Sequence, residues 1–140
     1  MELTLALLAD YANVSQEGKL NVLGIFDVIF AKSLPSRVPV CHLVLRFLAD
    51  ASEKGSKKQL QFKLLDPDGK QLVEVSGELA ILSGGPPGPV TLDLLSSIEW
   101  LAFEQYGAHQ LSILVNGEHK RSIGVTVLSP PTPPPESENH

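Results

Sequence analysis

The sequence predicts an all-β protein, built as an antiparallel β-sandwich of about seven to eight strands. Apolar residues recur at every second position through most of the chain, which is the period of a half-buried strand. Clusters of glycine, proline, asparagine and aspartate separate these runs, and loops rather than helices are expected between them. With 140 residues, of which 43 % are hydrophobic, the chain is long enough for one packed domain.

The first two strands are predicted to form a hairpin around a loop at residues 15–18. A loop of four residues pairs Leu7 with Phe26 and Tyr11 with Val22, so that the apolar faces of the two strands coincide. The first strand carries on one face Leu3, Leu5, Leu7, Ala9 and Tyr11, and the second run carries Leu20, Val22, Phe26, Val28 and Phe30.

The middle of the chain predicts a further strand and a second hairpin. The strand follows a loop bracketed by Pro35 and Pro39, and its alternating apolar residues are Cys41, Leu43, Leu45 and Phe47. The hairpin turns at residues 66–69, Asp-Pro-Asp-Gly, where proline presets φ and glycine accepts a positive φ. Its inward-facing residues are Leu60, Phe62 and Leu64 on one strand and Val73, Val75, Leu79 and Ile81 on the other.

The C-terminal third predicts a loop at residues 83–89 and then a strand that begins with Val90, Leu92 and Leu94. Residues 96–104 fit either a helical turn or a strand. Asn116-Gly117 indicates the last hairpin.

A three-residue loop at 115–117, with Gly117 left-handed in a bulge, pairs odd-numbered residues with odd-numbered ones in this hairpin. The register sets His119 opposite Ile113 and His109 opposite Ile123, and we expect both histidines at the solvent-facing rim.

The predicted domain organisation is a β-sandwich at residues 1–128 followed by a tail at residues 129–140. The tail holds five prolines among serine, threonine and glutamate, a composition that favours extended polyproline or disorder.

Composition and motifs argue against several classes of function. The net charge is −5 and the 11 lysines and arginines are scattered, so a nucleic-acid partner is not expected. No apolar stretch approaches the roughly 18 residues that span a bilayer, and the N-terminus lacks the basic region of a signal peptide. We therefore expect a cytoplasmic protein with no membrane partner.

Enzymatic signatures are equally missing from the sequence. It contains no phosphate-binding glycine loop, nucleophile elbow or His-Glu-x-x-His motif, and its four histidines lack zinc-ligand spacing. The single cysteine, Cys41, lies in an apolar strand pattern and is expected to be a buried structural thiol. We expect no catalytic residues, no metal and no cofactor, and hence no enzyme.

Two groups of residues are candidate binding sites. The second face of the first hairpin is also apolar, whereas a sandwich strand usually keeps that face polar. Unless residues 32–39 or 83–89 cover it, this face predicts a homodimer or protein-partner interface at Leu8, Leu23, Ile25 and Ile29. The alternative site consists of the aromatic residues Trp100, Phe103 and Tyr106. If exposed, they form a stacking platform for a small ligand or carbohydrate, and if buried, they are part of the core. The sequence thus favours a non-enzymatic interaction or self-associating module, with a ligand-binding sandwich as the alternative.

Part of the sequence resembles a family of small uncharacterised bacterial proteins. The resemblance is carried by Leu-Leu-Ala-Asp-Tyr-Ala-Asn-Val at residues 7–14, by Gly-Lys-Leu-Asn-Val-Leu-Gly-Ile-Phe-Asp at 18–27, and by Tyr106-Gly107 with Leu-Val-Asn-Gly-Glu at 114–118. It spans most of residues 3–127 and implies a bacterial, cytoplasmic β-sandwich with no assigned activity. The Tyr-Gly pair followed by a hairpin also resembles the last two strands of immunoglobulin-like domains, which implies an immunoglobulin-like sandwich.

Overall fold

A computed structural model describes residues 1–131 and confirms the all-β fold. The predicted tail lies outside the described residues from Thr132 onward. Within the described part, eight strands of seven or more residues correspond to the predicted number. They are β1 (Glu2–Val14), β2 (Leu20–Phe26), β5 (Cys41–Ala49), β6 (Lys57–Leu65), β7 (Gln71–Ala80), β8 (Val90–Ile98), β10 (Gly107–Val115) and β11 (Glu118–Leu128). Shorter elements are β3 (Val28–Phe30), β4 (Ser36–Arg37), β9 (Ala102–Phe103) and a 3-10 turn at Ala51–Glu53.

The long strands form two sheets. The first sheet has the order β2-β1-β5-β8, and the second has the order β3-β11-β10-β6-β7. All neighbouring strands are antiparallel except β3, which pairs with β11 in parallel, because the chain leaves the first sheet after β2 and enters the second at its edge. β4 and β9 form a separate short ladder. The immunoglobulin-like assignment stays a prediction.

The core lies between the inner faces of the two sheets. The alternation predicted for β5 is confirmed, and its inward residues are matched by apolar residues of β6, β10 and β11. Fully buried members include Leu8, Leu43, Leu45 and Phe47 of the first sheet and Leu64, Leu111, Ile113 and Val125 of the second. The hairpin of β6 and β7 is also confirmed, and Asp66 Oδ1 closes its turn by accepting the backbone N–H groups of Asp68 at 2.9 Å and Lys70 at 2.8 Å.

The predicted register of the first hairpin is wrong by one residue. Leu8, not Leu7, lies opposite Phe26, and Ala12 lies opposite Val22. The loop holds five residues, 15–19, instead of four, since Val14 pairs with Leu20. In addition β1 has a bulge, where Thr4 has no partner in β5 and the pairing shifts between Leu3 and Leu5. Leu3 therefore faces the core, but beyond the bulge the even-numbered residues face inward and the odd-numbered ones outward. Because both faces are apolar, the sequence pattern could not show this change.

The last hairpin has a two-residue turn instead of the predicted three-residue loop. Val115 lies opposite Glu118, and Asn116 and Gly117 both have positive φ, at 50° and 80°. The left-handed Gly117 is thus confirmed. The bulge lies farther along the strand at Lys120, which restores the expected pairing of odd with odd residues.

The bulge also changes the expected positions of the histidines. Ile113 lies opposite Arg121, and His109 lies opposite Val125. The prediction of a rim position is wrong for His109, which is buried on the inner face with its ring against Phe103 at 4.7 Å between centroids. His119 is exposed, as expected.

Residues 96–104 contain the end of one strand and a second short strand, and they form no helical turn. β8 continues to Ile98, and after three residues without regular structure β9 begins at Ala102. The predicted loop at residues 83–89 is confirmed.

Candidate functional site

The outer face of the first sheet carries a continuous apolar surface. Cross-strand neighbours on this face are Ala9 with Ile25, Tyr11 with Leu23, and Leu7 with Val44. We call these six residues the outer patch. Leu23 is 69 % exposed, Ile25 64 % and Tyr11 52 %. Ala9 and Val44 are fully buried by neighbouring side chains. The exposed residues of the outer patch therefore lie beside two residues that water does not reach.

The polar groups beside the outer patch are bound to one another. Arg46 and Asp93 face each other on β5 and β8 and form a bidentate ion pair, with Nε–Oδ1 at 2.7 Å and Nη2–Oδ2 at 3.1 Å. The His42 ring packs edge-on against Tyr11, with 5.1 Å between ring centroids. These groups are engaged within the sheet, so a partner on this face meets mainly apolar side chains.

The outer patch reaches an open edge of the sheet, because β2 is a terminal strand. β2 contains neither proline nor a charged residue, the features that commonly block pairing at an edge. Gly24, in the middle of β2, has a φ of +73°, and the carboxylate of Asp10 occupies the space that a β-carbon there would need. The strand is therefore an apolar edge with one local twist.

A groove of about 530 Å³ adjoins the outer patch at Leu7 and Ile25. The groove lies where the chain leaves the first sheet after β2. Residues of β1 before Leu8 have no partner in β2, and only residues 126–128 of β11 pair with β3, so neither ladder closes this space. The walls come from Ala6–Leu8, Ile25–Asp27 and Ser122–Gly124. Nearby, the two sheets are joined where Arg121 Nη2 donates to the Leu3 carbonyl at 3.2 Å.

The structure separates the four residues that the sequence proposed as an interface. Leu23 and Ile25 lie together on the outer patch, and the predicted alternative of cover by a neighbouring loop is wrong for both, given their exposure of 69 % and 64 %. Leu8 lies on the inner face and is fully buried, because the Thr4 bulge reverses the faces of β1. Ile29 lies in β3 of the second sheet and packs against the core.

Sequence reasoning missed Tyr11, Leu7 and Val44 as members of this surface. Tyr11 and Leu7 were expected on the inner face, and Val44 was expected to alternate with the core residues of its strand. The bulge at Thr4 moves Leu7 and Tyr11 to the outer face, and no residue type in the sequence indicates this bulge.

The proposed aromatic platform is not formed as one surface. Phe103 is fully buried, and Tyr106 is tied down by a hydrogen bond that its hydroxyl donates to the Ala31 carbonyl at 2.8 Å. Trp100 is half-buried and lines a cavity of about 320 Å³ with Lys70, Gln71, Leu72, Val73, Ala102 and Glu104.

The Cys41 thiol is buried, as predicted. Burial, with a smaller contribution from the charge of Asp10, raises the pKa of the thiol from 9.0 to about 11. The thiol is therefore protonated at neutral pH and a poor nucleophile. Within residues 1–131, no three metal-ligating side chains come together, and no helix is long and apolar enough to cross a bilayer.

A search among curated proteins returns no significant match to the chain. The model of a family of unknown function, DUF6941, matches residues 4–128. The match begins at Thr4, the third residue of β1, and ends at Leu128, the last residue of β11. The chain belongs to this family of unknown function.

Proposed function

We propose that this protein is a non-enzymatic interaction module that binds an apolar protein surface through the outer patch. The observation that carries the proposal is the exposure of Tyr11, Leu23 and Ile25, all above 50 %, on one face of a regular sheet. Soluble monomers rarely expose contiguous apolar surface of this kind unless it binds a partner.

The energetics of the outer patch support binding. Complete burial of one large apolar side chain contributes about 1.5–3 kcal/mol, so covering three half-exposed ones contributes about 1–2 kcal/mol each. A partner would meet no unpaired charge at the centre of the surface, because the nearby Arg46 and Asp93 already neutralise each other. The desolvation penalty that opposes many polar interfaces is therefore small here.

The non-enzymatic part of the proposal is supported by the surroundings of Cys41, on the inner face of β5, and of His42, on the outer face. The Cys41 thiol is buried with its pKa raised to about 11, and the ring of His42 packs on Tyr11. We further propose that the protein acts in a reducing compartment such as the bacterial cytoplasm, since its lone cysteine cannot form an internal disulfide.

The test is self-association of the full chain, measured by sedimentation equilibrium for the wild type and for Ile25→Glu. A charge placed in a desolvated contact should raise the dissociation constant by about 100-fold or more. Leu82→Glu is the matched control, because Leu82 is 79 % exposed but lies beyond β7, outside the outer patch. Circular dichroism of each variant checks the fold.

The proposal requires that Ile25→Glu weakens association, that Leu82→Glu does not, and that both variants remain folded. Equal behaviour of the two variants would overturn it. If Ile25→Glu unfolds, Leu23→Glu provides the same test at a more exposed position.

A second candidate function is small-ligand or carbohydrate binding in the Trp100 cavity. The observation in its favour is a half-buried indole beside the cationic and anionic side chains of Lys70 and Glu104 in a space of about 320 Å³. Trp100 is the only tryptophan in the chain, so its fluorescence reports on this cavity alone. Titration with a panel of mono- and disaccharides should shift the emission if the cavity binds sugar, and an unchanged spectrum would reject this candidate.

A further inference from the structure

We infer that a second copy of this chain binds at the β2 edge of the outer patch, by antiparallel pairing of the two β2 strands. The inference rests on the proposed function, since it names the protein that associates at the edge of that surface. The two four-stranded sheets would then form one continuous sheet around a two-fold axis.

Of the three long strands at sheet edges, β2 is the one that carries no charged residue to oppose pairing with another strand. The other two are β7, which carries Glu74 and Glu78, and β8, which carries Asp93. Charged residues on an edge strand oppose pairing with another strand, because the partner must desolvate them. β2 has none between Leu20 and Phe26.

The two charged residues that flank β2 have opposite signs, so each can pair with the other residue of an antiparallel second copy. Lys19 precedes the strand, Asp27 follows it, and both lie four positions from Leu23. Antiparallel pairing centred on Leu23 therefore sets Lys19 of each copy opposite Asp27 of the other, which gives two opposite-charge pairs.

Both flanking charges are available for this contact. The side chain of Lys19 is 76 % exposed, and its 3.2 Å contact with Glu17 is a surface pair of the kind that exchanges at little cost. Asp27 is exposed and has no salt-bridge partner among residues 1–131.

The same register brings several apolar residues together, while it sets Ile25 of each copy opposite Asn21 of the other. On the outer face, Leu23 of one copy lies opposite Leu23 of the other, with Ile25 in a diagonal position beside it. On the inner face, Leu20 lies opposite Phe26, and Val22 lies opposite Gly24, which presents no side chain. The two outer patches thereby become one surface across the two-fold axis.

The C-terminal segment of the chain itself is a poor occupant for this edge. Residues 133–135 are three consecutive prolines, which have no backbone N–H to donate to a strand. A second β2 strand contains no proline, so each of its residues has a backbone N–H, and its flanking charges are opposite in sign to those that they would meet.

Charge reversal tests the pairing in the full chain. Lys19→Asp and Asp27→Lys should each raise the dissociation constant of the dimer by about tenfold, because symmetry places two like-charge contacts in every dimer. The double variant carries both reversals and should restore the dissociation constant to within about threefold of the wild type. A merely structural effect of either residue would not be rescued.

Disulfide trapping supplies a second measurement that does not depend on charge. Leu23→Cys places two thiols directly opposite each other across the axis, close enough to be oxidised to a disulfide dimer. Leu82→Cys is the control, since Leu82 is 79 % exposed but outside the strand, and the native Cys41 is buried. Trapping of the Leu23→Cys variant alone is the expected result.

The outcomes separate this inference from the proposed function. A dimer that is lost in Ile25→Glu, yet is not altered by charge reversal or trapped by Leu23→Cys, would overturn strand pairing but retain binding by the outer patch. In that case the left-handed Gly24 twists the edge away from a neighbour. A wild type that stays monomeric at all concentrations would overturn the second copy as the partner.

Discussion

Glu53 is bound by three groups from different parts of the chain. Its carboxylate contacts Lys58 Nζ at 2.9 Å and the N-terminal amino group at 3.1 Å, and it accepts the Asp50 backbone N–H at 2.9 Å. The hydrogen bond from Lys58, followed by that from Asp50, lowers the pKa of Glu53 from 4.5 to about 2. The 3-10 turn at Ala51–Glu53 is thereby tied to the start of β1 and to β6.

The depressed pKa of Glu53 predicts a pH-dependent contribution to stability. A group whose pKa is lower in the folded state stabilises the fold above its unfolded value of 4.5, and the contribution is lost as the pH falls to about 2. Glu53→Gln should lower the melting temperature by several degrees at neutral pH and have a much smaller effect near pH 2. Thermal denaturation across this pH range measures it.

The control for Glu53 is Glu78→Gln. Glu78 pairs with Lys57 at 3.7 Å, with the two side chains 49 % and 70 % exposed, and such pairs contribute little. If the two variants lose equal stability at neutral pH, the account of Glu53 is wrong.

Gly24 is required by both its backbone and its surroundings. Its φ of +73° disfavours any residue with a β-carbon, and the carboxylate of Asp10 fills the place where that carbon would lie. Gly24→Ala should therefore reduce the free energy of unfolding by about 1–2 kcal/mol or more in denaturant titration. Gly77→Ala in β7 is the matched control, because its β-carbon would meet no atom within 4 Å, and its stability should be unchanged or slightly higher.

At the scale of strands and hairpins, the turns could be predicted and the bulges could not. Asp66 to Gly69 and Asn116-Gly117 carry residue types that favour particular backbone angles, so the sequence predicted both hairpins correctly. The bulges at Thr4 and Lys120 have no such residue preference. Each changes the register of its strand by one residue, which is enough to move side chains between faces.

The turn of the last hairpin gives a prediction at this scale. Gly117 has a φ of 80°, which a β-branched residue strongly resists. Gly117→Val should therefore lower the free energy of unfolding by about 1–2 kcal/mol. Gly124→Val tests the same change within β11 at a glycine without positive φ and with open space around it, and it should have little effect. Equal losses would show that the turn conformation is not responsible.

For the molecule as a whole, the sequence predicted the β-sandwich and much of its core but not the composition of the outer patch. Period-two patterns identify strands, and they placed Leu43, Leu45 and Phe47 correctly between the sheets. They cannot tell which of two apolar faces is buried when both faces of a strand are apolar, as in β1. Leu23 and Ile25 were assigned to the correct face, with cover by a loop left open, whereas Leu8 was assigned to the wrong face.

The outer patch therefore depends on the assembled sheet rather than on any single segment. β1 contributes Leu7, Ala9 and Tyr11, and β5 contributes Val44 from a distant part of the chain. Only the observed registers of β1 with β2 and with β5 bring these residues together with Leu23 and Ile25.

Association at the β2 edge can be measured by hydrogen–deuterium exchange of the full chain at protein concentrations below and above its self-association. Pairing of a second copy with β2 predicts that backbone amides of residues 20–26 exchange more slowly in the concentrated sample, because the free N–H groups of the β2 edge become hydrogen-bonded. The loop at residues 83–89 should exchange equally in both samples. Equal exchange of residues 20–26 at the two concentrations, or protection confined to other strands, would contradict the account.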